Sequence, residues 1–188
     1  MSAGGTRIGL LRHGETTGQG FCGRGSDVPL TEGGWTAMRD ALAGGSVWDR
    51  IVCSPLMRCR APAQAFAEEA GVPLAVDDRL AELDFGTWEG RTAAALMETD
   101  AGALGRFWQD PLNHPPPDGE SLQEFRDRVV AGWNDLAPSE NERVLVIVHG
   151  GVIRLIRALR EGWPLEKLLG IDVPLASLHV VEPWEPYP

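Results

Sequence analysis

Three runs of apolar residues punctuate the chain, and each stops abruptly at polar residues. Arg7-Ile8-Gly9-Leu10-Leu11 breaks at Arg12-His13-Gly14-Glu15, Ile51-Val52-Cys53 at Ser54-Pro55, and Val144-Leu145-Val146-Ile147-Val148 at His149-Gly150-Gly151. Runs that are continuous rather than alternating predict strands of a sheet covered on both faces. Helical patterns lie between and after them. Thr31 to Leu42 opens on a Thr31 cap, and Met57 to Ala70 ends before Gly71 and Pro73. Ser121-Leu122-Gln123-Glu124 has the form of a capping box and opens an amphipathic helix through Phe125, Val129, Val130 and Trp133, while Val152 to Leu159 follows the third run directly. This order predicts an α/β fold, a three-layer α/β/α sandwich around a mainly parallel, mixed central sheet. Ligands of such sheets bind beyond the carboxyl ends of the strands, where all three runs end in residues capable of chemistry.

The stretch from Glu82 to Glu120 is irregular, with short helical pieces at Thr92 to Glu98 and Ala103 to Gln109 and a Pro115-Pro116-Pro117 cluster. It reads as a helical insertion, at about 91–120, folded over one end of the sheet rather than as a second domain. With no repeat, low-complexity tract or linker, residues 1–188 read as a single domain. The tail from Pro183 to Pro188 reads as a loosely packed extension.

Composition narrows the function classes. Hydrophobic residues at 43% and charged residues at 23% are those of a globular chain, not a disordered or coiled-coil one. Seventeen basic against 27 acidic residues give a net charge of −10, which repels nucleic acid and anionic lipid, so neither is an expected partner. No apolar run approaches the roughly 20 residues that span a bilayer, and the start lacks a basic region followed by an apolar block. Cys22, Cys53 and Cys59 are an odd set at spacings of neither a disulfide framework nor a zinc site, which points to the cytoplasm. Among the cations only Lys167 is lysine. The guanidinium groups suit phosphate or carboxylate, although a compositional bias of the genome would produce the same excess.

The strand-end residues carry the chemistry. His13, flanked by Arg12 and Gly14, can act as a nucleophile toward phosphorus with the arginine neutralising phosphoryl oxygens; taken alone, the hexapeptide from Leu11 to Thr16 equally fits a surface or metal-ligating histidine. Arg58 stands in the first turn of a predicted helix, against the helix dipole, where a bound anion would favour it; an ordinary surface arginine is the commoner case. His149 and the free amides at Gly150-Gly151 form a strand-to-helix junction able to bind an anion. In the stretch Ala81 to Gly90, carboxylates lie among Phe85 and Trp88, a setting for a proton donor to a leaving alkoxide. Asp84 and Glu89 read as solvated or capping groups.

Leu11 to Thr16, Ser54 to Arg58, Glu82 to Gly90, Gly119-Glu120-Ser121 and His149-Gly150-Gly151 resemble, in order and spacing, the motifs of the histidine phosphatase superfamily, also called phosphoglycerate mutase-like. The resemblance covers nearly the whole chain. It implies that His13 becomes phosphohistidine and that Arg12, Arg58, His149 and Gly150 form the phosphate pocket. It further implies that Glu82 is the general acid and then base, and that neither metal nor cofactor takes part. His114 and His179 match no catalytic position. Two departures stand out: Gln19 where the family often has asparagine, and Arg58-Cys59 followed by Pro62 where many members have Arg-Ala and then threonine.

Within the insertion Arg91 and Arg106 are the only cations, too few for the second anionic group that a cofactor-dependent phosphoglycerate mutase must hold. A phosphomonoesterase on a small phosphorylated metabolite fits better, with Trp88, Phe107 and Trp108 available as an apolar platform. The Phe21-Cys22-Gly23 loop leading to Asp27-Val28-Pro29-Leu30-Thr31, together with Trp48 to Val52, is similar to bacterial α-ribazole phosphatases of the cobalamin pathway. A non-catalytic phosphate-binding regulator is the contrasting reading, weakened by the joint presence of His13, Glu82 and His149. The sequence carries no signal for an oligomeric state.

Overall fold

Valine, leucine and isoleucine alternate along Arg143–Val148 so that Val144, Val146 and Val148 face one apolar layer and Leu145 and Ile147 the other, all buried. This strand is the centre of the sheet in a computed structural model that describes residues 6–45, 47–182 and 184–188. The elements run β1 (Arg7–Arg12), α1 (Glu32–Leu42), β2 (Arg50–Cys53), α2 (Met57–Ala70), β3 (Leu74–Val76), α3 (Ala93–Thr99), α4 (Ala101–Gln109), α5 (Leu122–Asp135), β4 (Arg143–Val148), α6 (Gly150–Glu161) and β5 (Leu178–Val181). Strand order is β3-β2-β4-β1-β5, parallel except for β5, which runs antiparallel to β1.

Each sheet face is closed by helices, giving the three layers. On one side Phe125, Val129 and Trp133 of α5 and Val152, Ile153 and Ile156 of α6 pack on Ile8, Leu10 and the β4 valines. On the other, Met38 of α1 and Cys59, Ala63 and Phe66 of α2 pack on Leu11, Ile51 and Ile147. Burial of this kind contributes about 25 cal/mol per Å² of apolar area and is the main stabilising force. The start of α5 is the capping box its sequence describes, with Ser121 Oγ accepting from Glu124 N and the Glu124 carboxylate accepting from Ser121 N. Pro62 sits inside α2 without ending it. Among the described residues no helix is long and apolar enough to cross a membrane.

Three features differ from the expectations. β3 and β5 have no counterpart among the predicted runs, because each is a short, partly exposed edge strand without a continuous apolar core. Helix α6 begins at Gly150, two residues before the predicted start, since glycine is a weak sequence signal for a helix. The tail is not loosely packed. Pro183 lies outside the described residues, but Tyr187 stacks on Trp133 at 6.0 Å, Trp133 Nε1 donates to Glu185 O at 2.8 Å, and Asn134 and Tyr187 exchange two hydrogen bonds. In the insertion, Leu96 of α3 and Leu104 and Phe107 of α4 join the core beneath α5 and α6.

Candidate active site

Parallel register performs the first step of assembly. Arg12 pairs with Val148 and Cys53 with Ile147, so the chain leaves three neighbouring strands at one level. His13 N donates to Val148 O at 3.0 Å and Ser54 N to Ile147 O at 3.1 Å. The rings of His13 and His149 consequently stand edge to face, 5.3 Å apart.

His13 is buried, and its Nδ1 lies 2.8 Å from the Gly14 carbonyl oxygen. A carbonyl can only accept, so Nδ1 carries the proton and Nε2 keeps its lone pair. Burial, reinforced by the charges of Arg58 and Arg12 and opposed by the Gly14 bond, lowers the pKa of His13 to about 3. His149 is fully buried, with Nε2 2.6 Å from Ser54 Oγ and 3.6 Å from Cys59 Sγ. Burial holds it well below its ordinary range too, with Arg58, His13, Arg128 and Arg12 adding repulsion.

These shifts set a pH dependence of stability. A histidine neutral when folded but free to charge when unfolded binds fewer protons in the native state. Its contribution is therefore complete above the unfolded value of 6.5 and is lost as pH falls toward the folded one, about 3 for His13. Between about pH 7 and pH 5 urea unfolding should show a loss of about 2 kcal/mol from His13, with His149 adding to it in the same direction. His149→Asn should make that dependence shallower, and an unchanged slope would show that His149 is charged in the folded protein.

Arg58, fully buried at the start of α2, donates through Nη1 to Ser26 O at 2.6 Å and through Nη2 to the carbonyls of Cys22 and Gly23 at 2.9 and 3.1 Å. Among the described residues its Nε–H meets no acceptor. Arg12 donates through Nη1 to Val173 O, and its Nε–H is likewise buried and unpaired. Burial lowers the basicity of Arg12, Glu82 opposes the shift, and Arg154 and Arg58 add to it. Unpaired buried donors cost about 1–3 kcal/mol each, and here two of them belong to cationic guanidinium groups whose charges also act on His13.

Glu82 reaches the same place from the loop after β3. Its Oε2 accepts from Gly151 N at 3.0 Å, in the first turn of α6, and its Oε1 from Leu83 N at 3.0 Å. Only glycine allows this approach, because a Cβ at position 151 would stand 2.2 Å from Glu82 Oε1. A Cβ at Gly150 would meet Arg12 Cζ at 3.2 Å and Arg154 Nη1 at 2.9 Å. The structure thus gathers Arg12, His13, Arg58, Glu82, His149 and Gly150 at one end of the sheet, and leaves His114 beside Asp110 and His179 on β5.

A family profile described as histidine phosphatase superfamily (branch 1) matches residues 8–187. The chain belongs to the histidine phosphatase superfamily. Similar proteins include an Escherichia coli adenosylcobalamin/alpha-ribazole phosphatase, 31% identical over 169 residues, covering 86% of this chain and 82% of that one. The crystal structure of the alpha-ribazole phosphatase from Shigella flexneri is 28% identical with a TM-score of 0.80 over 94% of this chain and 90% of that one. A mycobacterial glucosyl-3-phosphoglycerate phosphatase solved with VO3 is 29% identical with a TM-score of 0.81, over 93% and 91%. Other relatives are longer, and the chain spans 64% of one from Hydrogenobacter thermophilus and 50% of three from mycobacteria.

Several further residues support the site. Glu89 accepts from Gly25 N at 3.0 Å, from Phe85 N at 3.3 Å and from Ser26 Oγ, pinning the loop whose carbonyls hold Arg58. It is a capping carboxylate, as is Asp84, which accepts from Gly86 N at 2.8 Å. Asp27 accepts from Met57 N at the start of α2. Cys59 packs against His149, and burial pushes its thiol well up, so it is a neutral neighbour. Gln19 is exposed, with only its carbonyl engaged, by Cys22 Sγ at 3.9 Å. Beside the site opens a cavity of about 500 Å³ lined by Phe21, Phe85, Phe107, Trp108, Arg154 and Leu169. Trp88 and Phe107 are only 1% and 3% exposed, so most of the expected platform belongs to the core, and Trp108, at 46%, is left as its free aromatic face.

Proposed function

We propose that this phosphoric monoester hydrolase acts without a metal, through a phosphohistidine at His13, on a small phosphorylated metabolite, with α-ribazole 5′-phosphate of cobalamin synthesis the first candidate. The observation that carries the reading is a buried, neutral imidazole with a free Nε2 beside two guanidinium groups whose Nε donors are unpaired. The phosphoryl oxygens take the N–H groups of Arg12, Arg58 and Gly150 and the imidazole of His149. The Nε2 lone pair forms the bond to phosphorus as the ester P–O bond breaks, and the leaving oxygen receives its proton from Glu82. Glu82 then takes a proton from water as the water oxygen attacks phosphorus, which returns imidazole and inorganic phosphate. Fixed cations meet the charge that develops on the transferring group.

The α-ribazole candidate draws on the named relatives and on the aromatic wall, which offers Trp108 and Phe85 to a flat base. Arg154 favours a second reading. It comes from α6 rather than the insertion, donates Nε to Ile171 O at 2.8 Å, and turns Nη1 toward Arg12 at the mouth of the cavity. A carboxylate near the phosphoester, as in a phosphoglycerate derivative, would suit it. A hydrolysis screen over small phosphomonoesters, containing α-ribazole 5′-phosphate and phosphoglycerates with and without EDTA, tests both readings. Turnover should be unaffected by chelator and far exceed interconversion of 2- and 3-phosphoglycerate. Complete loss in EDTA restored by magnesium or zinc would overturn the chemistry, and efficient interconversion at low enzyme would make the protein a mutase.

A further inference from the structure

Glu82 lies on a stretch outside any helix or strand; its carboxylate accepts from Gly151 and Leu83, while its backbone carbonyl is held by one arginine. Arg128 of α5 uses all five of its N–H donors. Nη1 donates to the carbonyls of Arg79 and Ala81, both at 2.7 Å, and Nη2 to that of Glu82 at 2.9 Å. The remaining two go to the Glu120 carboxylate, Nε at 2.6 Å and Nη2 at 2.8 Å. Glu120 in turn binds the other side of Glu82, its N–H donating to Asp84 O at 3.0 Å and its Oε2 accepting from Asp84 N at 3.4 Å. The guanidinium lies 4.9 Å above the ring of Phe125, and that ring also stands 3.3 Å from where a Cβ on Gly151 would be, next to the amide that Glu82 accepts from. Among the described residues no other donor reaches the carbonyls of Ala81 and Glu82.

We propose that Arg128, braced by Glu120, is a positioning residue that fixes where the Glu82 carboxylate stands, so that proton delivery to the leaving oxygen depends on a guanidinium that does not touch substrate. The inference rests on the assignment of Glu82 as general acid. Its physical basis is geometric. Three carbonyls within four residues are tied to one rigid plane, and that plane is tied to α5, which is anchored in the core by Phe125, Val129 and Trp133. Lysine offers a point charge without the fork and cannot reproduce the pattern. Losing the clamp orphans two carbonyls of a buried segment, which must shift to find new partners and carry the carboxylate with them.

The test compares leaving groups. Arg128→Met, Arg128→Lys and Glu120→Gln are prepared with the wild type, and rapid quench gives the rate of phosphoryl transfer to His13 from p-nitrophenyl phosphate and from a simple alkyl phosphate. A misplaced acid should slow transfer from the alkyl phosphate by roughly 10–10²-fold in each variant, since displacements of the order of 1 Å cost about that much. Transfer from p-nitrophenyl phosphate, whose leaving group needs no proton, should fall by a much smaller factor, and KM for both should stay near the wild-type value. Equal losses with both substrates, a rise in KM alone, or full activity in Arg128→Lys would overturn the proposal. If Arg128→Met does not fold, Glu120→Gln and Arg128→Lys decide by the same ratio of losses. A wild type that forms no phosphohistidine would instead refute the assigned reaction.

Discussion

His13→Ala should reduce turnover by on the order of 10⁴–10⁶-fold, the scale of losing a covalent nucleophile, and should abolish an acid-labile, base-stable phosphoryl label on the protein. The expectation follows from the state of the ring. The Gly14 carbonyl fixes the Nδ1 proton, and burial near Arg12 and Arg58 keeps the imidazole neutral down to a pH of about 3. The nucleophile is thus present in its reactive form well below neutral pH. An acid limb in the pH profile of kcat/KM above about pH 5 must come from another group or from the substrate phosphate. Label that persists in His13→Ala would overturn the assignment. Because neutral alanine leaves Arg12 and Arg58 in place, the variant should still bind inorganic phosphate, which separates loss of chemistry from loss of the pocket.

Glu82→Gln should lower turnover by roughly 10²–10⁴-fold, the usual contribution of a positioned acid-base group. An alkoxide is a poor leaving group unless it is protonated as the P–O bond breaks, and Glu82 is the carboxylate held against the start of α6 beside Arg12. Asp84→Asn and Glu89→Gln should act differently. The first loses a local cap, and the second loosens the 22–26 loop and through it Arg58, raising KM more than it lowers kcat. The first step with p-nitrophenyl phosphate should suffer less than that with an alkyl phosphate. Equal losses in that step would confine Glu82 to water activation, and no loss with either substrate would remove it from the mechanism.

Much of the site was legible because the fold places it by strand ends. A continuous apolar run that stops abruptly at polar residues can be seen in one dimension, and Arg7–Arg12, Arg50–Cys53 and Arg143–Val148 all show it. The capping box at Ser121 and the Thr31 cap are equally local, since the groups that satisfy one another lie within three residues. Local patterns of this kind, with the family motifs that ride on them, are enough for the α/β class, the order of the longer elements and the choice of His13, Arg12, Arg58, Glu82 and His149 as candidates. The net charge of −10 argued in the same way for a local rather than a global anion site.

Tertiary structure decided whatever depends on partners distant in the chain. The tautomer and neutrality of His13 come from burial among arginines supplied by other elements, which no spacing reveals. β5 exists because β1 has an open edge, not because Leu178–Val181 is strongly strand-like, and the tail packs because Trp133 and Asn134 offer it a stacking face and two hydrogen bonds. Glu89 reads in the sequence as a solvated or capping group, and nothing in the sequence singles out Arg128. They act on Arg58 and Glu82 through backbone carbonyls and amides, and a backbone group carries no sequence signature. Trp88 and Trp108 look alike in composition, yet one fills the core and the other faces the cavity, because burial is set by which helix closes over the sheet.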